Sequence, residues 1–176
     1  MENSEGRAAG RAMTIAYLAD HPEFIAALAP GIAAHWRYVL KDETVERRME
    51  KLRGHLNKGA LPIAWVAHEG GEALGTAALR SHDLEGREDL TPWLAGVFVR
   101  PEHRGRGVAS ALCRAVEEGA WSLGFGRLYL FTVDRHSLYA RLGWRTLGPA
   151  VWRGLPSEIM VKDRAAPKPT RDPRTA

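Results

Sequence analysis

The sequence has little cysteine and no long apolar run. Its 176 residues contain a single cysteine, Cys113, which excludes an internal disulfide and is typical of a reducing compartment. No apolar run reaches the roughly 20 residues that a membrane-spanning helix needs, and residues 1–12 lack the apolar segment of a secretory signal. We therefore expect a cytoplasmic protein with no membrane partner.

Motifs that hold metals or nucleotides are also lacking. The seven histidines show no metal-ligand spacing, so no metal site is predicted. No G-x-x-x-x-G-K-[ST] sequence is present, which excludes a nucleoside-triphosphate loop of that type. Residues 105–110 read G-x-G-x-x-S, but residues 100–104 separate them from the preceding strand. Too little chain follows Asp134 to complete a dinucleotide-binding sheet.

The net charge of +4 is unevenly distributed. Residues 162–176 contribute three of these charges, and no basic face interspersed with aromatic residues favours nucleic acid as a partner. A nucleic-acid-associated protein acting through its basic tail is the weaker alternative. We expect a disordered extension over residues 1–12, one domain over residues 13–163, and a flexible basic tail over residues 164–176.

Hydrophobic patterning predicts a single three-layer α/β domain with mixed strands. The predicted strands cover residues 14–18, 61–68, 72–80, 94–99, 127–133, 144–152 and 158–162. The predicted helices cover residues 20–28, 32–40, 44–56, 108–123 and 134–142. Pro30 and Gly31 are expected to separate the first two helices, Gly59 to follow the third, and Asp134 to cap the last. The Glu- and Arg/Lys-rich face of the third helix is typical of a solvated surface.

Residues 94–123 form the stretch around which the rest is organised. An apolar strand, residues 94–99, leads through Pro101 to the sequence RGRGVA, residues 104–109, which opens an amphipathic helix. The first N–H groups of a helix have no intrahelical partner, and glycines let the backbone approach a phosphate closely. Arg104 and Arg106 add cationic donors. This pattern indicates an anion site, although a simple strand-to-helix turn needs the same glycines.

Two segments resemble the GNAT superfamily of N-acetyltransferases. Arg104, Gly107 and Ala109 match the superfamily's R/Q-x-x-G-x-G/A motif for the pyrophosphate of acyl-CoA. Downstream, the segment YARLGW, residues 139–144, is similar to the superfamily's Y-x-x-L-G-F/W sequence. The resemblance implies a three-layer α/β/α fold with a mixed, mostly antiparallel sheet that is splayed at its central strands.

The resemblance also implies a mode of cofactor binding. The strand at residues 94–99 would diverge from the strand at residues 128–133, and the pantetheine arm of acetyl-CoA would lie in the gap. Phe98 and Val99 would offer main-chain groups to the arm. The pyrophosphate would be held by the amides of Arg104, Gly105, Arg106, Gly107, Val108 and Ala109.

Catalytic and acceptor-binding roles follow from the same resemblance. Tyr139 stands at the superfamily's tyrosine position and would donate a proton to the leaving sulfur, although a tyrosine that only packs the helix would look the same. A backbone N–H near Val99 would stabilise the carbonyl oxygen. His35, Trp36, Tyr38 and Trp93 are candidate acceptor-binding residues, with a core or capping role as the favoured alternative for any single one. The loop residues His82, Asp83 and Glu85 are candidate bases, with a solvated turn as the favoured alternative.

The predicted function is transfer of an acetyl group from acetyl-CoA to a primary amine of a small molecule or a peptide N-terminus, in a ternary complex. The alternative is a regulatory module that binds acyl-CoA without catalysis. We expect a monomer or homodimer whose partners are acetyl-CoA and the acceptor amine. The fold and the cofactor motif leave the acceptor open.

Overall fold

A seven-stranded mixed sheet forms the centre of residues 12–166, the part of the chain that the computed structural model describes. Its strands are β1 (Thr14–Tyr17), β2 (Ile63–Glu69), β3 (Glu72–Arg80), β4 (Trp93–Val99), β5 (Arg127–Thr132), β6 (Arg145–Trp152) and β7 (Leu155–Asp163). The helices are α1 (Phe24–Trp36), α2 (Val45–Arg53), α3 (Val108–Ser122) and α4 (His136–Arg141), with short 3₁₀ turns at Leu18–Asp20 and Pro101–His103. The predicted extension and tail lie outside the described residues, except for residues 12 and 164–166.

The strand order is β1-β2-β3-β4-β5-β7-β6. Every neighbouring pair is antiparallel except β4 and β5, which are parallel. Helix α3 connects these two strands, as a parallel connection requires. The predicted mixed, mostly antiparallel sheet is therefore confirmed.

Both faces of the sheet are covered, which confirms the predicted three layers. In β2, Ile63, Trp65 and Ala67 contribute to a core that contains residues of α3 and α4. The alternate residues Ala64 and Val66 belong to a second core, built with α1 and Leu52 of α2. Because successive side chains of a strand point to opposite faces, the apolar run of β2 supplies both cores.

Strands β4 and β5 diverge almost as soon as they meet. Between β4 and β5, Trp93 and Tyr129 form the one register pair found in the described part of the chain. The register between β3 and β4 also shifts near Gly96, which has a left-handed φ of 59°. Such a bulge bends and twists its strand. The predicted splay of the central strands is thus present, and it opens a cleft along β4.

The predicted break at Pro30 is wrong, because α1 continues through this residue to Trp36. Proline in a helix interior removes one hydrogen bond and costs about 3 kcal/mol or more. Burial on both sides of Pro30 offsets this cost, since Leu28, Ala29, Ile32 and Ala33 are all buried. Gly31 helps this packing, because a Cβ there would lie 2.9 Å from the Phe98 ring.

Helix ends differ from the predictions in detail. Thr44 caps α2 by accepting a hydrogen bond from the Arg47 N–H at 3.2 Å, but the helix ends at Arg53, before Gly59. Before α4, the hydroxyl of Thr132 accepts from the Arg135 N–H at 2.9 Å, so this contact replaces the predicted cap by Asp134. Strand β7 begins at Leu155 and is longer than predicted.

No helix within residues 12–166 combines the length and apolar character needed to cross a membrane.

Candidate active site

The loop before α3 is open towards an incoming anion. Gly105 and Gly107 adopt left-handed φ angles of 75° and 78°, and a Cβ on either would meet no atom within 4 Å. Helix α3 has neither a side-chain cap nor an acidic residue in its first turn. Its first N–H groups and the helix dipole are therefore available to a phosphate.

A cavity of about 880 Å³ extends from this loop along the splayed strands. Its walls include residues 94–99 of β4, residues 131–135 at the end of β5, and residues at the end of α1 and in α4. The cleft between β4 and β5 therefore continues directly into the glycine loop.

The structure brings most of the predicted pyrophosphate residues to this cavity. Arg104, Gly105, Gly107, Val108 and Ala109 line it, and the Arg104 Nε donates to the Val99 carbonyl at 3.2 Å.

Arg106 does not line the cavity. Its guanidinium instead pairs with Glu69 at the end of β2 and contacts the His103 ring.

Phe98 and Val99 differ in what they present to the cleft. The Arg100 N–H donates to Leu74 of β3, and a Cβ on Gly75 of β3 would lie 2.4 Å from the Phe98 carbonyl oxygen. The N–H and C=O groups of Phe98 therefore point towards β3. In a strand, the main-chain groups of successive residues point alternately to the two neighbouring strands. The Val99 main chain faces the other way, towards the cleft. This placement argues against Phe98 as a main-chain partner and leaves its ring as a cavity wall.

Tyr139 lies in the cavity wall and is only 8% exposed. Its ring meets Trp144 edge to face, with the ring centroids 6.4 Å apart. Burial raises the pKa of the Tyr139 phenol well above its ordinary value, so the hydroxyl carries its proton at neutral pH. Burial also raises the pKa of nearby Cys113 to about 12, which makes this thiol unreactive.

The four predicted acceptor-binding residues separate into two groups. His35 and Trp36, at the end of α1, and Tyr38, which follows this helix, line the cavity. Burial, followed by the charge of Arg104, lowers the pKa of His35. Trp93 is fully buried, its indole N–H donates to the Leu90 carbonyl at 2.7 Å, and it does not line the cavity. It packs with Leu84, Leu90 and Ile159 beneath the site.

Among the candidate bases on the loop after β3, Asp83 alone lines the cavity. His82 and Glu85 are exposed, as the solvated alternative predicts. Asp83 accepts a hydrogen bond from Arg80 at 2.8 Å. Burial nonetheless raises its pKa.

The residues that sequence analysis missed include a group of basic side chains in the cavity wall: Arg48, Lys51, His55 and Arg80. The charged face of α2 was interpreted as a solvated surface, but Arg48 is buried and lies 2.7 Å from Glu43. No local sequence signal marks these residues as part of a cavity, because α2 and the end of β3 are distant in sequence and become neighbours only in the folded protein.

The model of the acetyltransferase (GNAT) family matches residues 32–144. This range includes the glycine loop, the splayed strands and Tyr139. The chain belongs to the GNAT family.

The chain is similar to a GNAT relative of known activity over part of its length. N-acetylaspartate synthetase of Rattus norvegicus is 38% identical over 88 residues, which is 48% of this chain and 28% of that protein. The matched stretch thus spans little more than a quarter of the relative's length.

Solved structures show the same GNAT fold over nearly the whole chain. A ribosomal-protein-alanine N-acetyltransferase from Brucella melitensis has a TM-score of 0.69 at 19% identity, with 86% of this chain and 99% of that chain covered. The protein yncA from Salmonella typhimurium, solved with its cofactor acetyl-CoA, has a TM-score of 0.66 at 20% identity, with 90% and 99% covered.

Proposed function

We propose that this GNAT protein transfers an acetyl group from acetyl-CoA to a primary amine, carried by a small molecule or a peptide N-terminus, by direct attack in a ternary complex. One observation carries the proposal: the cleft where β4 leaves β5 continues into an uncapped helix N-terminus. The names of two relatives, an N-acetylaspartate synthetase and a ribosomal-protein-alanine N-acetyltransferase, support an amine as the acceptor.

The residues present suit acetyl-CoA. The open space at Gly105 and Gly107 leaves room for phosphate oxygens against the loop amides. The cavity is lined by seven Arg or Lys residues and two Asp residues among those described, a balance that favours a polyanionic ligand. The exposed edge of β4, which includes the main chain of Val99, can bond an extended amide-containing arm as a neighbouring strand would.

In this proposal, acetyl-CoA supplies an acetyl group activated as a thioester. A bond forms between the amine nitrogen and the acetyl carbon, and the carbon–sulfur bond breaks. The nitrogen loses one proton, and the sulfur gains one. Tyr139, protonated at neutral pH, is the donor we assign to the sulfur, and an N–H of β4 near Val99 stabilises the acetyl oxygen.

The test is a measurement of CoA release with a panel of primary amines and unblocked peptides. We expect release that depends on the acceptor, and a product that gains one acetyl group by mass spectrometry. N-acetylated versions of the same compounds serve as controls, since they offer no free amine. Binding of acetyl-CoA without release from any amine would contradict the proposal and support the regulatory module instead.

A further inference from the structure

The end of the cavity that lies away from the glycine loop is basic. Arg80 closes β3 and pairs in register with Trp93, whereas the glycine loop follows the other end of β4. Val99 lies six residue steps after Trp93 along β4, which corresponds to about 20 Å. Arg48 and Lys51 of α2 also line the cavity, and His55, which follows this helix, joins the Lys51 carbonyl to Arg80 by hydrogen bonds. We call Arg48, Lys51, His55, Arg80 and Asp83 the acceptor-end cluster.

The guanidinium of Arg80 is held in place on two sides. Its Nε donates to the Nε2 of His55 at 2.9 Å, and its Nη1 donates to Asp83 at 2.8 Å. Its Nη2 lies 3.5 Å from the position that a Cβ on Gly96 would occupy. Because Gly96 has no side chain, Nη2 reaches the bulge of β4 where the cleft opens. Hydrogen bonds to His55 and Asp83 use Nε and Nη1, and Nη2 lies beside the bulge without a hydrogen bond to another described residue.

His55 holds Arg80 without adding a charge. Its Nδ1–H donates to the Lys51 carbonyl at 2.5 Å, which leaves Nε2 unprotonated to accept from Arg80. Burial, followed by the charge of Arg80, lowers the pKa of His55 to about 4. The ring is therefore neutral at physiological pH.

Nearby carboxylates neutralise part, but not all, of the positive charge at this end of the cavity. Asp83 is the single carboxylate among the described residues of the acceptor-end cluster. Glu43 lies 2.7 Å from Arg48 and 3.3 Å from Lys51, but its side chain is only 3% exposed and it does not line the cavity. The three cationic side chains and the two carboxylates, Asp83 and Glu43, leave this end with one net positive charge, which favours a carboxylate over a polycation.

We propose that the acceptor is an amine that carries at least one carboxylate, and that the Nη2 of Arg80 binds this carboxylate beside the bulge of β4. A second carboxylate is placed to meet Arg48 and Lys51. Free acidic amino acids and peptides with an acidic first residue share this chemistry. The inference rests on the proposed acetyl transfer and specifies its acceptor.

The first experiment compares matched acceptors on the unaltered protein by CoA release. Its arms are aspartate and glutamate, peptides that begin with these residues, the corresponding diamides, and a polyamine. We expect the highest kcat/KM for an acceptor that carries a carboxylate. Comparison of the free amino acids with the peptides shows which of these two classes of acceptor is preferred. Higher kcat/KM for the diamides or the polyamine would overturn this inference alone. No release from any amine would overturn the proposed function as well.

An inhibition experiment needs no variant. Succinate carries two carboxylates and no amine, so it should compete with the acceptor, whereas its diamide should not. Equal inhibition by the two compounds, or none by succinate, would contradict the assignment.

A third experiment tests Arg80 itself. In Arg80→Gln, loss of a charged hydrogen bond should raise KM for the acidic acceptor roughly ten- to a hundredfold. The kcat/KM for a diamide should change little, and Arg80→Lys should recover part of the loss. Lys58→Gln, at an exposed position outside the cavity, removes the same charge as a control. An unchanged KM in Arg80→Gln, or an equal loss in Lys58→Gln, would overturn the role of Arg80.

Discussion

Tyr139 is a buried phenol in the wall of the cavity, and burial keeps it protonated. If it donates to the leaving sulfur, Tyr139→Phe should lower kcat by a factor of roughly 100 to 10,000. The affinity for acetyl-CoA, measured by calorimetry, should stay within about twofold, since the ring and its packing against Trp144 are kept. Tyr129→Phe is the matched control, because Tyr129 does not line the cavity. An unchanged kcat in Tyr139→Phe would remove the acid role.

His55 makes stability depend on pH in a defined direction. Its pKa falls from 6.5 to about 4 in the folded protein, so below pH 6.5 the unfolded chain binds a proton that the folded protein excludes. The contribution of neutral His55 to the free energy of unfolding is therefore complete above pH 6.5 and is lost as the pH falls towards 4. Urea unfolding at pH 7 and pH 5 should show a smaller loss of stability for His55→Gln than for the unaltered protein. Equal losses in both proteins would contradict this account.

At the scale of elements, α1 contains a proline that its packing tolerates. Pro30 is exposed on the helix surface. Pro30→Ala should restore a donor to the carbonyl of Ala26 and raise the free energy of unfolding by up to about 3 kcal/mol. Chemical denaturation measures this change directly. A lower stability in Pro30→Ala would mean that the proline ring makes a favourable contact.

The elements that the sequence predicted well are those with local signals. The hairpin of β2 and β3 has Gly70-Gly71 at its turn, and α3 follows a glycine loop with a clear apolar stripe. The continuity of α1 was mispredicted, because the burial of Ile32 and Ala33 against the sheet outweighs the local effect of Pro30. Propensity alone does not contain that tertiary contribution.

The candidate site was predicted best where motifs mark it. Arg104 and Tyr139 belong to sequence motifs, and both line the cavity. Trp93 was predicted to line the acceptor pocket, but its side chain instead packs in a hydrophobic core beneath the site. Arg80 belongs to no motif, and its proposed role depends on contacts with Asp83 and with His55, which is distant in sequence.

At the scale of the whole molecule, net charge conceals how charge is arranged. Most of the +4 lies in residues 162–176, and the remainder of the chain is close to neutral. Yet the cavity concentrates basic side chains at both of its ends, with Arg104 near the glycine loop and Arg80 at the other end. Folding therefore gathers at one cavity the basic side chains that we propose bind two anionic ligands.

In the proposed function, the loop amides between Arg104 and Ala109 hold the diphosphate of acetyl-CoA. Isothermal titration calorimetry of acetyl-CoA tests it most directly, with Gly107→Val as the variant and Gly59→Val as the control. Gly107 has a left-handed φ that a β-branched residue adopts only under strain, whereas Gly59 does not line the cavity. We predict saturable one-site binding that is lost in Gly107→Val and kept in Gly59→Val. An absence of binding to the unaltered protein, or equal affinity in Gly107→Val, would contradict the account.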